Sequence, residues 1–595
     1  MWFAYPRTPH LPWSPGASAD DVRTSGLAGL AGREVVVTEK LDGENTTLYP
    51  DGLHARSLDS AHHPSRAWIK ALHGRIARAL PPGRRVCGEN MYARHSLAYP
   101  ALDSWFYAFS VWDGDHCLDW DATVRVTRRL GLPTPPVLWR GIFDERALRA
   151  LRVDTARQEG YVVRTVDGFS YDEFAHRVAK WVRPHHVQTD EHWMSAPVVP
   201  NGLAPTAALW EVRSGAEPDP EALLAALDLT PADLCGPAAA TPADAAHARA
   251  AAADAASRLD LLGRTGDARL TGVLAALLHR TRRAWLAPRL TDRLGPRQAR
   301  RTADLVGLHG LLHRDFPDEQ RRTGLAGLAE AADLGVLHAL AAAVLTGRDD
   351  AEAEEARDRV AWSELHAEDA GLLGEAPLQT LRAQLRDEFA HGDPDTADRR
   401  WAEARRAFTR GRIGTAAEAA ALTWRWRNGA FPRLVVTVGP SGSGKSTFAR
   451  SLPAVHTVVS LDDLRRDRGS RADQRANRAV LDEGLHRLDA ALRDAAPDGG
   501  TVVWDATALN RHQRSLVHAV ARRRDALLTH AVWLLDEDDL ARRNTARDHP
   551  VPPAVLDGQL RRYEPPYPDE AHRTWYVGAG GGIGDTAGGL HDEED

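Results

Sequence analysis

The sequence predicts a multidomain chain in which an α+β part, an all-α part and an α/β part follow one another. Three observations predict this. Short β-branched and alternating runs recur through the first 213 residues, beginning with Glu34-Val35-Val36-Val37-Thr38. From 257 to 428 leucines fall at helical spacing, with few β-branched residues and breaks at Gly295-Pro296 and Asp393-Pro394. Then Arg433-Leu434-Val435-Val436-Thr437-Val438, the pattern of a buried strand, runs into a glycine-rich loop and a helical stretch. The expected boundaries are 1–213, an Ala/Pro-rich 214–256 that is a linker or the first helices, 257–428, 429–577, and a glycine-rich tail, 578–595, that reads as disordered.

Composition narrows the function classes. Hydrophobic content of 43% and charge of 26% are ordinary for a globular protein, and no run of about 18 apolar residues suits a membrane span. Cys87, Cys117 and Cys235 form no CxxC pair, which argues against a zinc site or a disulfide framework. The N-terminus lacks the pattern of a signal peptide, so the expected location is cytoplasmic. A net charge of −7 does not advertise nucleic-acid binding, although phosphate contacts depend on local arginines rather than on the total.

The lysine usage is more informative. Of 75 Lys+Arg only four are lysine: Lys40, Lys70, Lys180 and Lys445. Arginine serves everywhere else, so a surviving lysine marks chemistry that a permanently charged guanidinium cannot perform.

In the first part, Glu39-Lys40-Leu41-Asp42-Gly43-Glu44-Asn45 follows the first strand. A lysine at a strand end before a glycine turn puts an amine at a pocket mouth, where burial and nearby cations would lower its pKa toward neutrality and make it a nucleophile. Asp42 and Glu44 would supply oxygens for Mg²⁺ or a ribose hydroxyl. Pro50-Asp51-Gly52 turns a hairpin that returns Arg56 toward the same pocket, and Ser65 begins an amphipathic helix that carries Arg66 and Lys70 to Leu80. Val86 to Asn90 is a strand carrying Glu89, Trp105 to Trp112 an aromatic strand, and Asp119 caps a helix to Leu130. Glu159 to Arg164 and Arg177 to Arg183 are two further strands, one with a glutamate at its start and the other with Lys180.

Taken in order, EKLDGEN, CGEN, FYAFSV, EGYVVR and the Lys180 strand resemble the motifs of the nucleotidyltransferase fold, an ATP-grasp-like ligase core shared by ATP-dependent ligases and mRNA capping enzymes. Within it the first ~200 residues resemble the RNA ligase 2-like RNA-repair ligases. The resemblance implies that Lys40 attacks the ATP α-phosphorus and that Arg56 and Lys180 neutralise phosphate charge. It implies that Glu39, Asp42, Glu89 and Glu159 bind metal, ribose or adenine beside Gly43, and that Phe109 stacks on the purine. The family's second lysine in the last motif is replaced here by Val182, with Arg183 as a substitute.

The middle part would match the helical appendage by which RNA-repair ligases recognise an RNA end. Its single HxT, His279-Arg280-Thr281, reads as a surface histidine on a helix. In the last part, Gly439-Pro440-Ser441-Gly442-Ser443-Gly444-Lys445-Ser446-Thr447 fits G-x4-G-K-[ST] in strand–loop–helix context. Backbone N–H groups would wrap a β-phosphate, Lys445 reach the β/γ oxygens and Ser446 hold Mg²⁺. The rest resembles P-loop polynucleotide 5′-kinases. That resemblance makes Asp462 the general base, Arg465 a substrate-phosphate contact and Asp505 a shaper of the acceptor site, with Arg543 and Arg547 on one face of a lid helix.

Together these resemblances imply an enzyme that phosphorylates 5′-OH RNA ends and seals 5′-phosphate to 3′-OH ends, using ATP and Mg²⁺ (or Mn²⁺), with RNA such as broken tRNA as partner. A DNA nick ligase with an end-processing kinase is the alternative enzyme. A nucleotide-gated binding or sensor protein is the alternative of another class.

Overall fold

The computed structural model describes residues 2–592 apart from 19, 59–61, 185–196, 236–240, 316–317, 390–391, 469–476 and 548–549. It forms two compact units where the sequence suggests three parts. One comprises Met1–Pro231 with Ala256–Val273, and the other Ala232–Ala255 with Leu274–Glu594.

The first unit is built on two antiparallel sheets. Its strands are β1 (Glu34–Lys40), β2 (Glu44–Tyr49), β3 (Gly52–Ala55), β4 (Arg84–Asn90), β5 (Phe106–Asp113), β6 (His116–Cys117), β7 (Val137–Ile142), β8 (Gly160–Thr165), β9 (Phe169–Ser170) and β10 (Val178–Val182). One sheet runs β10-β8-β1-β7 and the other β3-β2-β4-β5-β6-β9. The turn Leu41 to Gly43 carries the chain from one sheet to the other. Helix Ala67–Ile76 sets Ile69, Leu72 and Ile76 against Leu48, Val86, Phe106 and Val111. It is preceded by a short 3₁₀ turn, Pro64–Arg66, whose N-terminal cap is His63 rather than Ser65. Asp119 does cap helix Trp120–Arg129, accepting from the Ala122 N–H at 2.7 Å. Residues 256–273 join this unit through charge. Asp267 is a buried carboxylate held by Arg213 at 2.7 Å and by Arg128, and buried Arg269 donates to the Val212 and Ala216 carbonyls.

The region 214–256 is helical rather than a bare linker, with Pro220–Ala226 and the start of Pro242–Leu261. In the second unit the helices, among them Arg283–Leu294, Pro296–Leu308, Leu334–Ala343, Ala351–Asp369 and Pro394–Thr409, share one unit with a six-stranded sheet. Its strands are β11 (Arg433–Val438), β12 (Val455–Ser460), β13 (Thr501–Asp505), β14 (Leu527–Trp533), β15 (Arg573–Val577) and β16 (Ile583–Ala587), in the order β12-β13-β11-β14-β15-β16. All neighbours are parallel except β16, which returns antiparallel to β15. The tail is therefore not disordered from 578 onward. Pairing satisfies the β16 backbone, Leu590 is fully buried in a helical core, and Arg386 donates to its carbonyl.

Arginine joins helices to sheet: Arg573 reaches Asp395 and Asp398 at 2.7 and 2.8 Å, and Arg300 reaches Asp585 at 2.9 Å. His279 lies after the end of helix Gly266–Leu277, half-buried between the rings of His247 and His309, at 5.4 and 6.2 Å. It is not the surface histidine the sequence suggested, because the fold brings side chains from separate helical segments together there. Among the described residues no single helix is long and apolar enough to cross a membrane.

Candidate active sites

The first site forms where the two sheets of the N-terminal unit meet. β1 pairs with β8 so that Lys40 faces Gly160 and Thr38 faces Val162, and β10 places Lys180 beside the same Val162. Directly opposed residues share a face and so do residues two apart, so Thr38, Lys40 and Lys180 project to one side. Glu159, just before β8, is buried and ion-paired to the Lys40 ammonium. Glu89 enters from β4 of the other sheet, accepting the Gly43 N–H at 3.3 Å. Gly43 has to be glycine, since a Cβ there would sit 2.6 Å from the Asn90 carbonyl oxygen.

The electrostatics reverse one expectation. Burial by itself pulls Lys40 down, yet Glu159, Glu89 and Asp42 more than offset it, so Lys40 is held above an ordinary lysine. In the nucleotide-free pocket it is an ammonium ion rather than a primed nucleophile. Burial pushes Glu89 up to about 7, with Lys40 pulling the other way. Burial also raises Glu39, whose carboxylate accepts from Gln158 at 3.0 Å. Lys180 is held low by burial and then by the charges of Lys40 and Arg56. Arg56 itself is exposed, just past the end of β3.

Other expected ligands are occupied. Asp42 Oδ2 accepts from the Ser96 N–H, the Ser96 hydroxyl and the Leu97 N–H at 2.9, 2.6 and 2.9 Å, so this carboxylate pins the 96–97 loop. Glu44 is engaged as well, with buried Arg66 on both of its oxygens. Arg66 and Lys70 thus do not act as a pair. Lys70 is exposed, with its ammonium 3.1 Å from His62 Nδ1. Arg183 is buried and donates to the Thr155 carbonyl at 2.7 Å, while its Nε and one Nη have no partner among the described residues. Phe109 is the extra residue of a bulge, since Cys87 pairs with Ser110 and Gly88 with Ala108. Its ring meets Tyr5 edge-on at 5.2 Å.

Sequence reasoning missed the N-terminal segment. Lys180 donates its N–H to Pro9 and accepts from Leu11, and Asp21 is among the charges acting on the Lys180 ammonium. These are irregular residues with no periodicity or motif to flag them.

Residues 33–182, which hold Lys40, Arg56, Glu89, Glu159 and Lys180, match the family model for RNA ligase. The chain carries an RNA ligase domain. The carboxylates around Lys40 form a donor set that suits a divalent ion on a triphosphate, although among the described residues no group of three or more is close enough to hold a metal unaided.

The second site lies in the other unit, at the C-terminal ends of the parallel strands, where ligands bind in open α/β sheets. β11 ends at Val438, and Gly439 to Gly444 wrap into helix Lys445–Ser451, with Gly444 at φ +101° as its N-cap. Gly442 is at φ +88°, and Ser441 donates its N–H to Gln559 Oε1 at 2.8 Å, so an amide carbonyl rests on the loop. Ser443 is buried, Ser446 half-buried and Thr447 exposed. Lys445 turns back onto the Pro440 carbonyl at 2.6 Å and the Ser443 hydroxyl at 3.3 Å. Burial lowers it to about 8, against the opposing pull of Asp505 and Asp462. Asp505 is buried at the end of β13, level with Ser460 on β12. Asp462 is exposed on helix Leu461–Asp467 and pairs with Arg465 at 2.7 Å.

The two lid arginines do not share a helix face. Helix Glu537–Thr545 ends before Arg547, which approaches closely enough to lower Lys445, whereas Arg543 donates to the Ala579 carbonyl at 2.6 Å. Asn544 fixes the bend, bonding both ways with the Val551 backbone. Trp533, packed edge-on against Phe448 at 5.3 Å, backs the loop. Gln559 and Trp533 belong to no motif read from the sequence, and Asn544 lies inside the lid motif without a role of its own there.

Residues 434–566 match the family model of an AAA domain, which makes the C-terminal part a P-loop, kinase-like domain. Among solved structures the chain resembles a gluconokinase from Sinorhizobium meliloti 1021 at 24% identity, over 25% of this chain and 83% of that one, with a TM-score of 0.20. It also resembles a mutant Naegleria gruberi RNA ligase with ATP and Mn at 16% identity, over 30% and 59%, with a TM-score of 0.22. An archaeal ATP-dependent RNA ligase gives 14% identity, 35% and 50% coverage and a TM-score of 0.21. The chain thus spans less than two thirds of either ligase. Among curated proteins none matches.

Proposed function

We propose that this chain repairs broken RNA in two stages, phosphorylating a 5′-OH end in the P-loop domain and sealing the resulting 5′-phosphate to a 3′-OH in the ligase domain. The observation that carries the reading is the Lys40–Glu159 ion pair with Lys180 on the same sheet face, in a chain that keeps one further lysine in a phosphate loop. A ligase of this class adenylates only a 5′-phosphate, so a 5′-kinase on the same chain widens the ends it can seal.

ATP is the substrate of both halves. In the ligase domain Lys40 loses a proton, and its Nζ attacks the α-phosphorus. The P–N bond forms as the bond to pyrophosphate breaks. Glu89, near 7, is the carboxyl best matched to receive that proton at neutral pH. Lys180 and Arg56 offset the phosphate charge. The adenylyl group then passes to the RNA 5′-phosphate, and attack by the 3′-OH expels AMP. In the P-loop domain Asp462 takes the proton of the 5′-OH as the γ-phosphoryl group transfers to its oxygen, and Arg465 holds the neighbouring phosphate. Magnesium or manganese, when bound, neutralises triphosphate charge; Glu159 in one domain, and Ser446 with Asp505 in the other, offer it oxygens.

The test is incubation of the full chain with α- and γ-labelled ATP and with 5′-OH or 5′-phosphate strands of RNA and DNA. Label should enter 5′-OH RNA ends, and 5′-phosphate RNA should be joined. Joining of nicked DNA alone would make the chain a DNA ligase, and γ-label passing only to a small metabolite would remove the 5′-kinase assignment.

A further inference from the structure

In the second unit, helix Pro394–Thr409 and the turn after it, helix Arg511–Arg523, the start of β14 and the residues just before β15 enclose a cavity of about 360 Å³. It is not the P-loop site. The cavity touches Ala526 and Leu528 at the start of β14, whereas the glycine loop follows Val438, which is level with Val532 near the end of that strand. A strand of six or seven residues separates the two ends of the sheet by roughly 20 Å.

Its lining is dominated by arginine: Arg399, Arg406, Arg410, Arg412, Arg425 and Arg522. Three carboxylates also line it, and two of these are already engaged. Glu403 is held by Arg425 at 2.9 Å and by Arg399 at 3.4 Å, and Glu570 by Arg514 at 2.9 and 3.1 Å. The guanidinium groups of Arg406, Arg410, Arg412 and Arg522 have no hydrogen-bond or ion-pair partner among the described residues. The Nε atoms of Arg399 and Arg410 are buried and unsatisfied.

Burial brings Arg399 down to about 10 against the pull of Glu403, and burial, with Arg405 and Arg410, holds Arg406 below its ordinary value against the opposing pull of Glu330 and Asp569. Arg399 and Arg425 stack on Trp426 at 4.2 and 4.3 Å, which fixes their planes. Like charges gathered and partly desolvated without partners destabilise a fold unless an anion completes them. Planar donors in a fork suit phosphate oxygens, and the volume is at the small end for ligand pockets, suiting a compact anion rather than a strand.

We propose that this cavity is a third anion site, one that takes a small polyphosphate of the pyrophosphate or nucleoside-polyphosphate class. Its position away from Lys445 makes it an effector site rather than a donor site.

Equilibrium dialysis with labelled inorganic pyrophosphate, at fixed ionic strength, tests this on the full chain carrying Lys40→Ala and Lys445→Ala to weaken the two catalytic pockets. One class of site should remain, and adding Arg406→Gln with Arg410→Gln should weaken it at least tenfold. Arg412→Gln with Arg522→Gln, at exposed positions that cannot unfold the core, should weaken it several-fold. Unchanged pyrophosphate affinity in both pairs overturns the proposal. So does a loss of 5′-phosphorylated RNA binding in these variants while pyrophosphate binding is unaffected, since the arginines would then serve the RNA backbone.

Discussion

Lys40 and Lys180 stand on one face of the β10-β8-β1 sheet, one diagonal step apart across Val162 and Gly160, and the fold treats them oppositely. Lys40, paired with Glu159, is held above an ordinary lysine; Lys180, facing Lys40 and Arg56, is held below one. The amine that would do covalent chemistry is thus the one kept protonated.

This relation is measurable. Amine-reactive labelling followed by mass spectrometry can separate all four lysines. Lys40 should label only at higher pH than a free lysine. Glu159→Gln removes its largest carboxylate partner, so burial meets less opposition, and labelling of Lys40 at pH 8 should rise about tenfold for each unit by which its pKa falls. An unchanged profile would mean that Glu159 does not hold the proton.

Lys40→Ala should abolish covalent AMP and all sealing yet leave 5′-phosphorylation at its normal rate, since Lys445 lies in the other unit. Protein-bound label from α-labelled ATP in this variant would overturn the assignment.

Asp462→Ala should lower 5′-phosphorylation by on the order of 10² to 10⁴, the usual loss with a general base, while sealing of 5′-phosphate ends survives. Phosphorylation of 5′-OH RNA at the full rate would transfer the role to another carboxylate, with Asp505 at the end of β13 the candidate.

Lys445 carries a stability cost. Its folded pKa, about 8, lies below the ordinary 10.5, so the folded state binds fewer protons between those values and stability rises with pH across that window. At pH 7 the full penalty is present. Lys445→Met should therefore abolish phosphoryl transfer while stabilising the second unit by about 1–3 kcal/mol, read by calorimetry.

Arg66→Gln should destabilise the first unit by about 3–5 kcal/mol, because it leaves Glu44 buried without its partner. Lys70→Arg should leave adenylation and sealing unchanged, as its side chain is exposed and touches only His62 among the described residues. A fall in adenylation for Lys70→Arg would give that lysine a role at the pocket.

The sequence by itself determined what is local. Alternation and β-branching placed β1, β4, β5, β8, β10 and β11, the Asp119 cap was legible one residue ahead of its helix, and the glycine spacing around Lys445 specified a phosphate loop. Each depends on backbone conformation within a few residues. Only the tertiary structure decided which charges meet. Glu44 and Asp42, close to Lys40 in sequence, are taken by Arg66 and by the Ser96–Leu97 amides, while Glu159, 119 positions away, becomes the lysine's partner. Arg543 and Arg547 parted because the helix ended between them, and the glycine-rich tail became a strand because β15 offered an open edge. The cavity arginines were not legible as a group, since no local pattern reveals that a second element will close over them. Covalent spacing fixes secondary structure, but the sign and size of a pKa shift depend on desolvation and on charges brought from distant strands.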